Sequence, residues 1–324
     1  MLNRRKLLAA SAMQATAVPL WAQSPGADWP TRPVKIILGF PPGQSSDTGA
    51  RRFAAELQKA FAQPFVVENR PGAGATLAAR DVSKAAPDGY TLLHTSSGPL
   101  TVAPHLYSTL GFDPMKDLEP VGFVGRAPLL LVVRADSPFK TMGDLVAASG
   151  KRELTCGSGG NGVTNHLALE MFRQASAAKL LHVPYKGAAP ALQDLMGGAI
   201  ELMFEATPPV LPHVRAGRLR ALAVTSTTRF AALPDVPTVA ETYAGFDVVT
   251  WSVLAVPKGT PAAIVDRLAA QLNKIQAEPA FKAITTADGA ETTADSTPAK
   301  TKAYVLSEFD KWGTVIRRAG IKLE

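Results

Sequence analysis

The stretch PVKIILGFPPGQSSDTGARRFAAELQKAF, residues 33–61, decides the fold class. Its apolar first part, residues 33–40, predicts a β-strand, and residues 41–47 form a turn rich in Pro, Gly and Ser. The remainder places Phe53, Leu57 and Phe61 on one face of a helix. The same order of strand, loop and helix recurs over residues 65–86, so the chain predicts an α/β fold with a parallel sheet.

The alternation of strands and helices restarts near residue 128. The mature chain, about 300 residues, exceeds the usual size of one domain, which predicts two. Two long apolar segments, about residues 121–134 and 246–256, are expected to cross between them. The predicted first domain comprises residues 23–125 and 250–324, with the C-terminal helices packed back on it, and the second comprises residues 126–249.

The N-terminus has the layout of a secretory signal peptide over residues 1–22. A basic start, Arg4 to Lys6, precedes an apolar stretch that ends in small residues near Ala22. We therefore expect a soluble periplasmic protein after cleavage near Ala22. The pair Arg4 and Arg5 is compatible with both the twin-arginine and the Sec export routes.

Charge and cysteine content exclude several classes of protein. Without the three basic residues of the signal, 31 basic residues face 27 acidic ones, and they are scattered along the chain. No basic tract predicts a nucleic-acid groove, whereas a mildly positive surface favours anionic solutes. The single Cys156 excludes an internal disulfide framework and a multi-cysteine zinc site, and we expect it to be a small buried apolar residue.

A glycine-rich segment, TCGSGGNGVTNHLALEMF at residues 155–172, carries the spacing G-x-G-x-x-G at Gly157, Gly159 and Gly162. A dinucleotide site of this type needs an acidic residue at the end of the next strand to bind the ribose. That strand, LLHVPY at 180–185, has none. The motif therefore predicts no cofactor, and instead a turn whose N–H groups and helix N-terminus suit a carboxylate.

Both predicted domains contain such an anion-binding loop. In the second, Ser158, Asn161 and Thr164 offer side-chain donors, and Asn161 or Thr164 can equally serve as a helix cap. In the first, FPPGQSSD at 40–47 combines the flexible Gly43 with two serine hydroxyls and an Asp47 that can cap the helix. We expect the two loops to face each other.

At these residues the chain resembles the periplasmic solute receptors of tripartite tricarboxylate transporters, the Bordetella uptake gene family. Ordered matches over the mature chain include WPTRPVKIILGFPPGQSSD, VVENRPGAGATLAARDVSKAAPDGYTLL, GSGGNGVTNHLALEMF and HVPYKGAAPALQDLMGG. The resemblance implies a type II periplasmic-binding-protein fold, two α/β domains joined by two crossing strands, that closes on a small carboxylate. The ligand-binding residues it implies are Phe40, Pro42, Gly43, Gln44, Ser45, Ser46, Asp47, Ser96, Ser97, Ser158, Asn161, Gly162 and Thr164.

Two positions depart from the family pattern. Gln44 stands where the family usually has a second glycine, and a side chain there can reshape the pocket or contact the ligand. Glu205 stands where the family often has Asp, and its extra methylene moves the carboxylate inward. These departures imply a ligand different from the commonest ones, and Glu205 is added to the candidate ligand-binding residues.

Catalytic and metal motifs are absent from the sequence: there is no G-x-S-x-G or H-E-x-x-H, and the five histidines are dispersed. His166 and Glu170 lie one helical turn apart. Three interpretations are open: the two residues bind a metal ion, they form a solvated pair, or His166 borders the ligand. Lys186 is either an anion partner or a surface residue, and Trp251 lines the cleft or packs in the core.

The sequence as a whole predicts a receptor that binds a small mono- or dicarboxylate and delivers it to membrane transporter subunits. We expect a monomer with no cofactor, no metal and no nucleic-acid partner. The alternatives are a secreted α/β hydrolase and the ligand-presenting subunit of a sensor system.

Overall fold

The computed structural model describes residues 28–321, and it describes the backbone but not the side chain of Ser45. The predicted signal peptide lies outside the described residues. The strands are β1 (Val34–Leu38), β2 (Phe65–Asn69), β3 (Thr91–Ser96), β4 (Leu118–Arg134), β5 (Leu154–Ser158), β6 (Leu180–Pro184), β7 (Leu202–Ala206), β8 (Leu219–Val224) and β9 (Val249–Pro257). The helices are α1 (Ser45–Phe61), α2 (Thr76–Ser83), α3 (Ala103–Leu106), α4 (Pro114–Asp117), α5 (Met142–Ser149), α6 (Thr164–Ser176), α7 (Ala188–Gly197), α8 (Thr207–Arg215), α9 (Ala262–Ala277), α10 (Pro279–Ala287) and α11 (Pro298–Ala319).

The strands form one continuous sheet in the order β2-β1-β3-β9-β4-β7-β5-β6, with β8 paired to β4. Strands β1, β2 and β3 are parallel to one another, and so are β5, β6 and β7. All pairs that involve β4 or β9 are antiparallel. The predicted parallel sheet is therefore wrong for the middle of the sheet, because β4 and β9 run through it in opposite directions.

The long strand β4 divides the sheet into two lobes. Its first part, residues 118–128, pairs with β9, and its last part, residues 129–134, pairs with β7 and β8. We call the part with β1, β2, β3, α1, α2 and α9 the first lobe, and the part with β5–β8 and α5–α8 the second lobe. The predicted fold class, two α/β units joined by crossing strands, is confirmed by this arrangement and by its structural relatives described below.

Helix α8 is an element that periodicity did not predict, because Pro208, Pro209 and Pro212 interrupt its sequence. Proline fits the first turn of a helix, where the backbone N–H has no partner within the helix. Two of these prolines lie in that turn, and only Pro212 is inside the helix.

The last helix, α11, packs against both lobes. Val305 lies in the apolar cluster of the first lobe with Leu93 and Val253. Further along the same helix, Trp312 and Ile316 lie in the apolar cluster of the second lobe. The predicted burial of Cys156 is confirmed: the side chain is fully buried, and burial raises its thiol pKa to about 12. Between residues 28 and 321, every helix is too short or too polar to cross a bilayer.

Candidate functional site

The candidate site lies where two loops and the end of β3 come together. The first loop, residues 39–44, connects β1 to α1, and it neighbours Ser96 because β1 and β3 are paired side by side. The second loop, residues 159–163, connects β5 to α6. The lobes touch here, since the hydroxyl oxygens of Ser97 and Thr164 are 3.4 Å apart. Two of the predicted serine and threonine positions are thus brought together.

The Asp47 side chain bonds to the backbone of the first loop and is not the N-cap of α1. Its Oδ2 accepts from the N–H of Gly43 at 3.0 Å and from Nε of Arg51 at 3.1 Å. Its Oδ1 accepts from Nδ2 of Asn69 at 2.9 Å. Arg51 foremost, then Gly43 and Asn69, lower the pKa of the buried Asp47 carboxyl to about 2. The predicted helix cap is therefore wrong: the N-cap of α1 is Gln44, and the Asp47 carboxylate bonds instead to Gly43 before the helix, to Arg51 within it and to Asn69 on β2.

The residue at the N-cap of α1 is Gln44, whose side chain makes no capping hydrogen bond. Pro42, Gly43 and Gln44 are exposed, and Phe40 and Ser46 are half-buried. The N–H groups of Ser45 and Ser46 begin the helix and have no carbonyl one turn earlier to accept them. This helix end has the donors that an anion requires.

Ser158 lies beneath the second loop with its side chain fully buried. Its hydroxyl is 3.0 Å from the carbonyl of Gly160, accepts from the N–H of Gly160 at 3.1 Å, and lies 2.5 Å from Nε2 of His182. All these contacts are within the protein, so Ser158 supports the loop from below. A nucleophilic role would need a hydroxyl that a substrate can reach.

The N-cap of α6 is Val163, with no side-chain capping bond, so the predicted caps Asn161 and Thr164 are both wrong. Asn161 is exposed at the tip of the loop, and Thr164 instead faces Ser97 of the first lobe. The N-cap falls two residues after Asn161 and one before Thr164, because the chain turns at Gly162, with φ of +75°, before the helix begins.

Gly162 also packs closely against α3, a helix between β3 and β4. A Cβ atom at this position would lie 2.5 Å from Cδ1 of Leu106 in α3. Both its φ and this contact therefore require glycine. Its N–H donates to Nδ1 of His166 at 3.0 Å, so this donor is already used by the protein.

His166 stacks on His182 with ring centroids 3.9 Å apart. Burial, followed by nearby positive groups, lowers the pKa of both imidazoles to about 4. Nε2 of His166 is 3.8 Å from Glu170, which also pairs with Arg173 at 2.9 Å. Within residues 28–321 no three His, Cys, Asp or Glu side chains are grouped for a metal ion. The histidine pair is therefore a neutral, packed support of the loop.

Glu205 is the second-last residue of β7, beneath the start of α6, and is buried. Its Oε2 accepts from Nδ2 of Asn165 at 3.0 Å, and Oδ1 of Asn165 accepts from the N–H groups of His166 and Gly159. Burial raises the pKa of Glu205 to about 7, partly offset by the bond from Asn165. A carboxyl of this kind is partly neutral at physiological pH.

Trp251 packs in the core, which decides between the two interpretations of its sequence position. Its Nε1 donates to Oε2 of Glu308 at 3.0 Å, and its ring meets Phe123 and Tyr304 edge to face. Lys186 is exposed on a turn.

Sequence reasoning missed three polar residues that support the loops: Asn69, Asn165 and His182. Each bonds to a group far along the chain: Asn69 to Phe40 and Asp47, Asn165 to Glu205, and His182 to Ser158. A signal existed for Asn69, which ends a predicted strand next to β1, at the edge where open α/β sheets bind ligands.

Comparison with protein families finds a match to the tripartite tricarboxylate transporter family receptor over residues 49–321. Among individual proteins, Protein BugT of Bordetella pertussis is 36% identical over 327 residues, covering all of both chains. The UPF0065 protein in the tcbD-tcbE intergenic region of a Pseudomonas species is 37% identical and covers 97% of this chain and 94% of its own.

Solved structures of similar fold are also similar in sequence. The structure of R. palustris Rpa4515 with adipate is 34% identical, with a TM-score of 0.82, covering 91% of this chain and all of that chain. MatC from Rhodopseudomonas palustris with bound malate is 31% identical, with a TM-score of 0.76, covering 89% and 99%. The periplasmic binding protein BugD is 34% identical, with a TM-score of 0.78, covering 91% and 100%.

Proposed function

Because the chain belongs to the tripartite tricarboxylate transporter receptor family, we propose that it binds a small mono- or dicarboxylate between its lobes and delivers it to a membrane transporter. Members of this family are receptors and not enzymes, which removes the secreted hydrolase from consideration. The acid itself and the transporter are part of the proposal.

One observation carries the carboxylate assignment: the start of α6 meets the end of β3 across the two lobes, at Thr164 and Ser97. The first-turn N–H groups of α6 thus lie beside the edge at which β1 and β3 end. Helix N-termini favour anions by their dipole and their unpaired donors. Relatives solved with adipate and malate support a dicarboxylate of similar size.

The hydrogen bonds and burial of the candidate residues support a division into two groups. Direct contact is proposed for the backbone of Ser45 and Ser46 and for Phe40, Pro42, Gln44, Ser96, Ser97, Asn161 and Thr164. Indirect roles, which hold the two loops in place, are proposed for Gly43, Asp47, Ser158, Gly162, His166 and Glu205, because protein groups already occupy their polar atoms or surround them.

Titration calorimetry on the mature chain, residues 23–324, tests this function with adipate, malate and a series of monocarboxylates. We expect one site per chain and full recovery of unchanged acid after incubation. A ligand at 100 times its Kd should add about 2.7 kcal/mol to the free energy of unfolding. Absence of heat and of a thermal shift with every acid, or conversion of the acid, would contradict the proposal.

Export and domain organisation form a second part of the proposal. We propose periplasmic location after removal of residues 1–22, and domains of residues 23–125 with 250–324 and of residues 126–249. The periplasmic relatives and the sheet division at β4 support it. The intact mass of protein taken from the periplasm measures the cleavage site, and export of a chain with Arg4→Lys and Arg5→Lys separates the twin-arginine route from Sec.

A further inference from the structure

Asn69 is the last residue of β2 and stands beside the first loop. In the parallel register of β1 and β2, Asn69 is opposite Leu38, the last residue of β1. Its half-buried side chain therefore leaves the sheet at the point where the chain of β1 enters the loop. Nothing in the sequence between residues 38 and 69 brings these two ends together. The parallel pairing of the strands does so.

The amide of Asn69 is fully used by the protein. Its Nδ2 donates one hydrogen to the carbonyl of Phe40 and the other to Oδ1 of Asp47, both at 2.9 Å. Its Oδ1 accepts from Nη2 of Arg51 at 2.9 Å. Turning the amide over would set its oxygen against two acceptors, so the hydrogen bonds fix its orientation. The side chain thus links both ends of the first loop.

This link reaches the loop backbone through Asp47. The carboxylate that accepts from Asn69 also accepts from the N–H of Gly43. Few residues other than glycine adopt the φ of +83° found at Gly43. Three donors, the Arg51 guanidinium among them, surround the negative charge of Asp47 in the first turn of α1. That charge would otherwise oppose an anion at the same helix end.

We propose that Asn69 is a positioning residue for the ligand site: its amide holds Phe40 and Asp47 together and so keeps the first loop in its binding conformation. This inference rests on the proposed function, since it concerns the loop of the same site. Asn69 itself does not contact the ligand, because its donors and its acceptor are already engaged. A loop preordered in this way binds more tightly, because less conformational freedom is lost on binding.

The test compares Asn69→Asp and Asn69→Ala with the parent, using adipate and malate as probes in titration calorimetry. Asn69→Asp keeps the shape but replaces two donors by acceptors, against Phe40 and against the carboxylate of Asp47. We expect Kd to rise by at least about tenfold, the effect of one lost charge-assisted hydrogen bond. Asn69→Ala should weaken binding in the same direction without an added charge.

Asn273→Asp is the matched control. Asn273, on α9, also braces a backbone segment: its Nδ2 donates to the carbonyl of Ser296 at 2.6 Å and its Oδ1 accepts from the N–H of Ser296. We expect this variant to lower the melting temperature as much as Asn69→Asp does, with Kd unchanged within about twofold. A fall in affinity that accompanies lost stability in both variants would overturn the proposal.

Exchanging the side chains of residues 47 and 69 gives a measurement that a merely structural role of Asn69 would not affect. In Asn69→Asp combined with Asp47→Asn, an amide again faces a carboxylate, and Arg51 and the N–H of Gly43 keep their acceptors. Only the carbonyl of Phe40 loses its donor. We expect the double variant to recover a large part of the affinity that Asn69→Asp alone loses, which is a coupling energy between the two sites.

The outcomes separate this proposal from the one it rests on. If the parent binds none of the acids, the proposed function fails and the role of Asn69 fails with it. If the parent binds and a folded Asn69→Asp or Asn69→Ala binds equally well, only the positioning role is overturned. Failure of Asn69→Asp to fold leaves Asn69→Ala and the double variant to decide.

Discussion

At the scale of single residues, the two carboxyl groups near the loops have opposite pKa shifts for a physical reason. Asp47 has three donors, which lower its pKa to about 2. Glu205 has the neutral amide of Asn165 and is otherwise buried, and burial raises its pKa to about 7. Desolvation disfavours the charged form, and donors favour it. The two lobes therefore present one fixed charge and one carboxyl that titrates near neutrality.

The raised pKa of Glu205 predicts how stability depends on pH. A group whose pKa is higher in the folded protein than its usual 4.5 binds a proton on folding. Its contribution to the free energy of unfolding therefore falls as pH rises from about 4.5 to about 7, and does not change further above pH 7. In Glu205→Gln this contribution disappears, and the melting temperature should decline less between pH 5 and pH 8.

Glu201→Gln is the control for this prediction, because Arg152 lowers the pKa of Glu201 and leaves it ionised throughout that range. Its substitution should shift the melting temperature equally at both pH values. An unchanged decline in Glu205→Gln would show that Glu205 is already ionised when folded.

Gln44 provides a second prediction at this scale, on selectivity. Its exposed side chain stands at the N-cap of α1 without a capping bond, so it is free to face a ligand. Gln44→Gly should leave stability nearly unchanged, because glycine is a good N-cap residue. We expect the ranking of Kd values across a panel of carboxylates to change in calorimetry. The same ranking in both proteins would mean that Gln44 does not contact the ligand.

At the scale of elements, α11 ties the crossing strand β9 to the helix layer through one buried carboxylate. Oε2 of Glu308 accepts from the indole N–H of Trp251, on β9, and from that of Trp312, on its own helix, each at 3.0 Å. Lys311 pairs with the other oxygen. Because Trp312 packs with the second lobe, this contact sits where the two lobes share a helix.

Glu308→Ala should therefore be strongly destabilising. It leaves two buried indole donors without an acceptor, at about 1 to 3 kcal/mol each, so we expect a loss of about 2 to 6 kcal/mol in the free energy of unfolding. Urea denaturation measures it. Asp310→Ala, an exposed carboxylate on the same helix, is the control and should change stability little. A similar small effect in both variants would mean that the indole groups find other acceptors.

At the scale of the whole molecule, the second loop contacts the segment that follows β3 at two places, Gly162 with Leu106 of α3 and Thr164 with Ser97. A ligand that bonds to both loops stabilises this closed arrangement relative to an open one. We expect small-angle X-ray scattering to give a smaller radius of gyration with saturating adipate or malate than without it. An equal radius in both conditions would indicate a rigid, preformed site.

A larger side chain at the contact between Leu106 and Gly162 tests whether binding depends on this closed arrangement. Leu106→Trp places a larger side chain against Gly162, so it should weaken binding and reduce the change in radius, with the protein still folded. Leu181→Trp, at an exposed position on β6, is the matched substitution and should leave both quantities unchanged.

Elements that depend only on neighbouring residues could be predicted from the sequence. The apolar run FVVEN coincides with β2, residues 65–69, and the two long apolar segments correspond to β4 and β9. The α/β class, the burial of Cys156 and the positions of the two loops between strand and helix followed from the same local patterns. Periodicity reports which face of one segment is apolar, and that information is contained within the segment.

Which other segments these elements contact could not be predicted from local patterns and is seen in the folded protein. The antiparallel course of β4 and β9, the contact of Asn69 with Phe40 and Asp47, and the closeness of Ser158 to His182 depend on strand register. The same holds for the role of Trp251, which a strand pattern leaves equally compatible with cleft and core. Register and packing are set by segments distant along the chain, so the polar support of the two loops exists only once the sheet has formed.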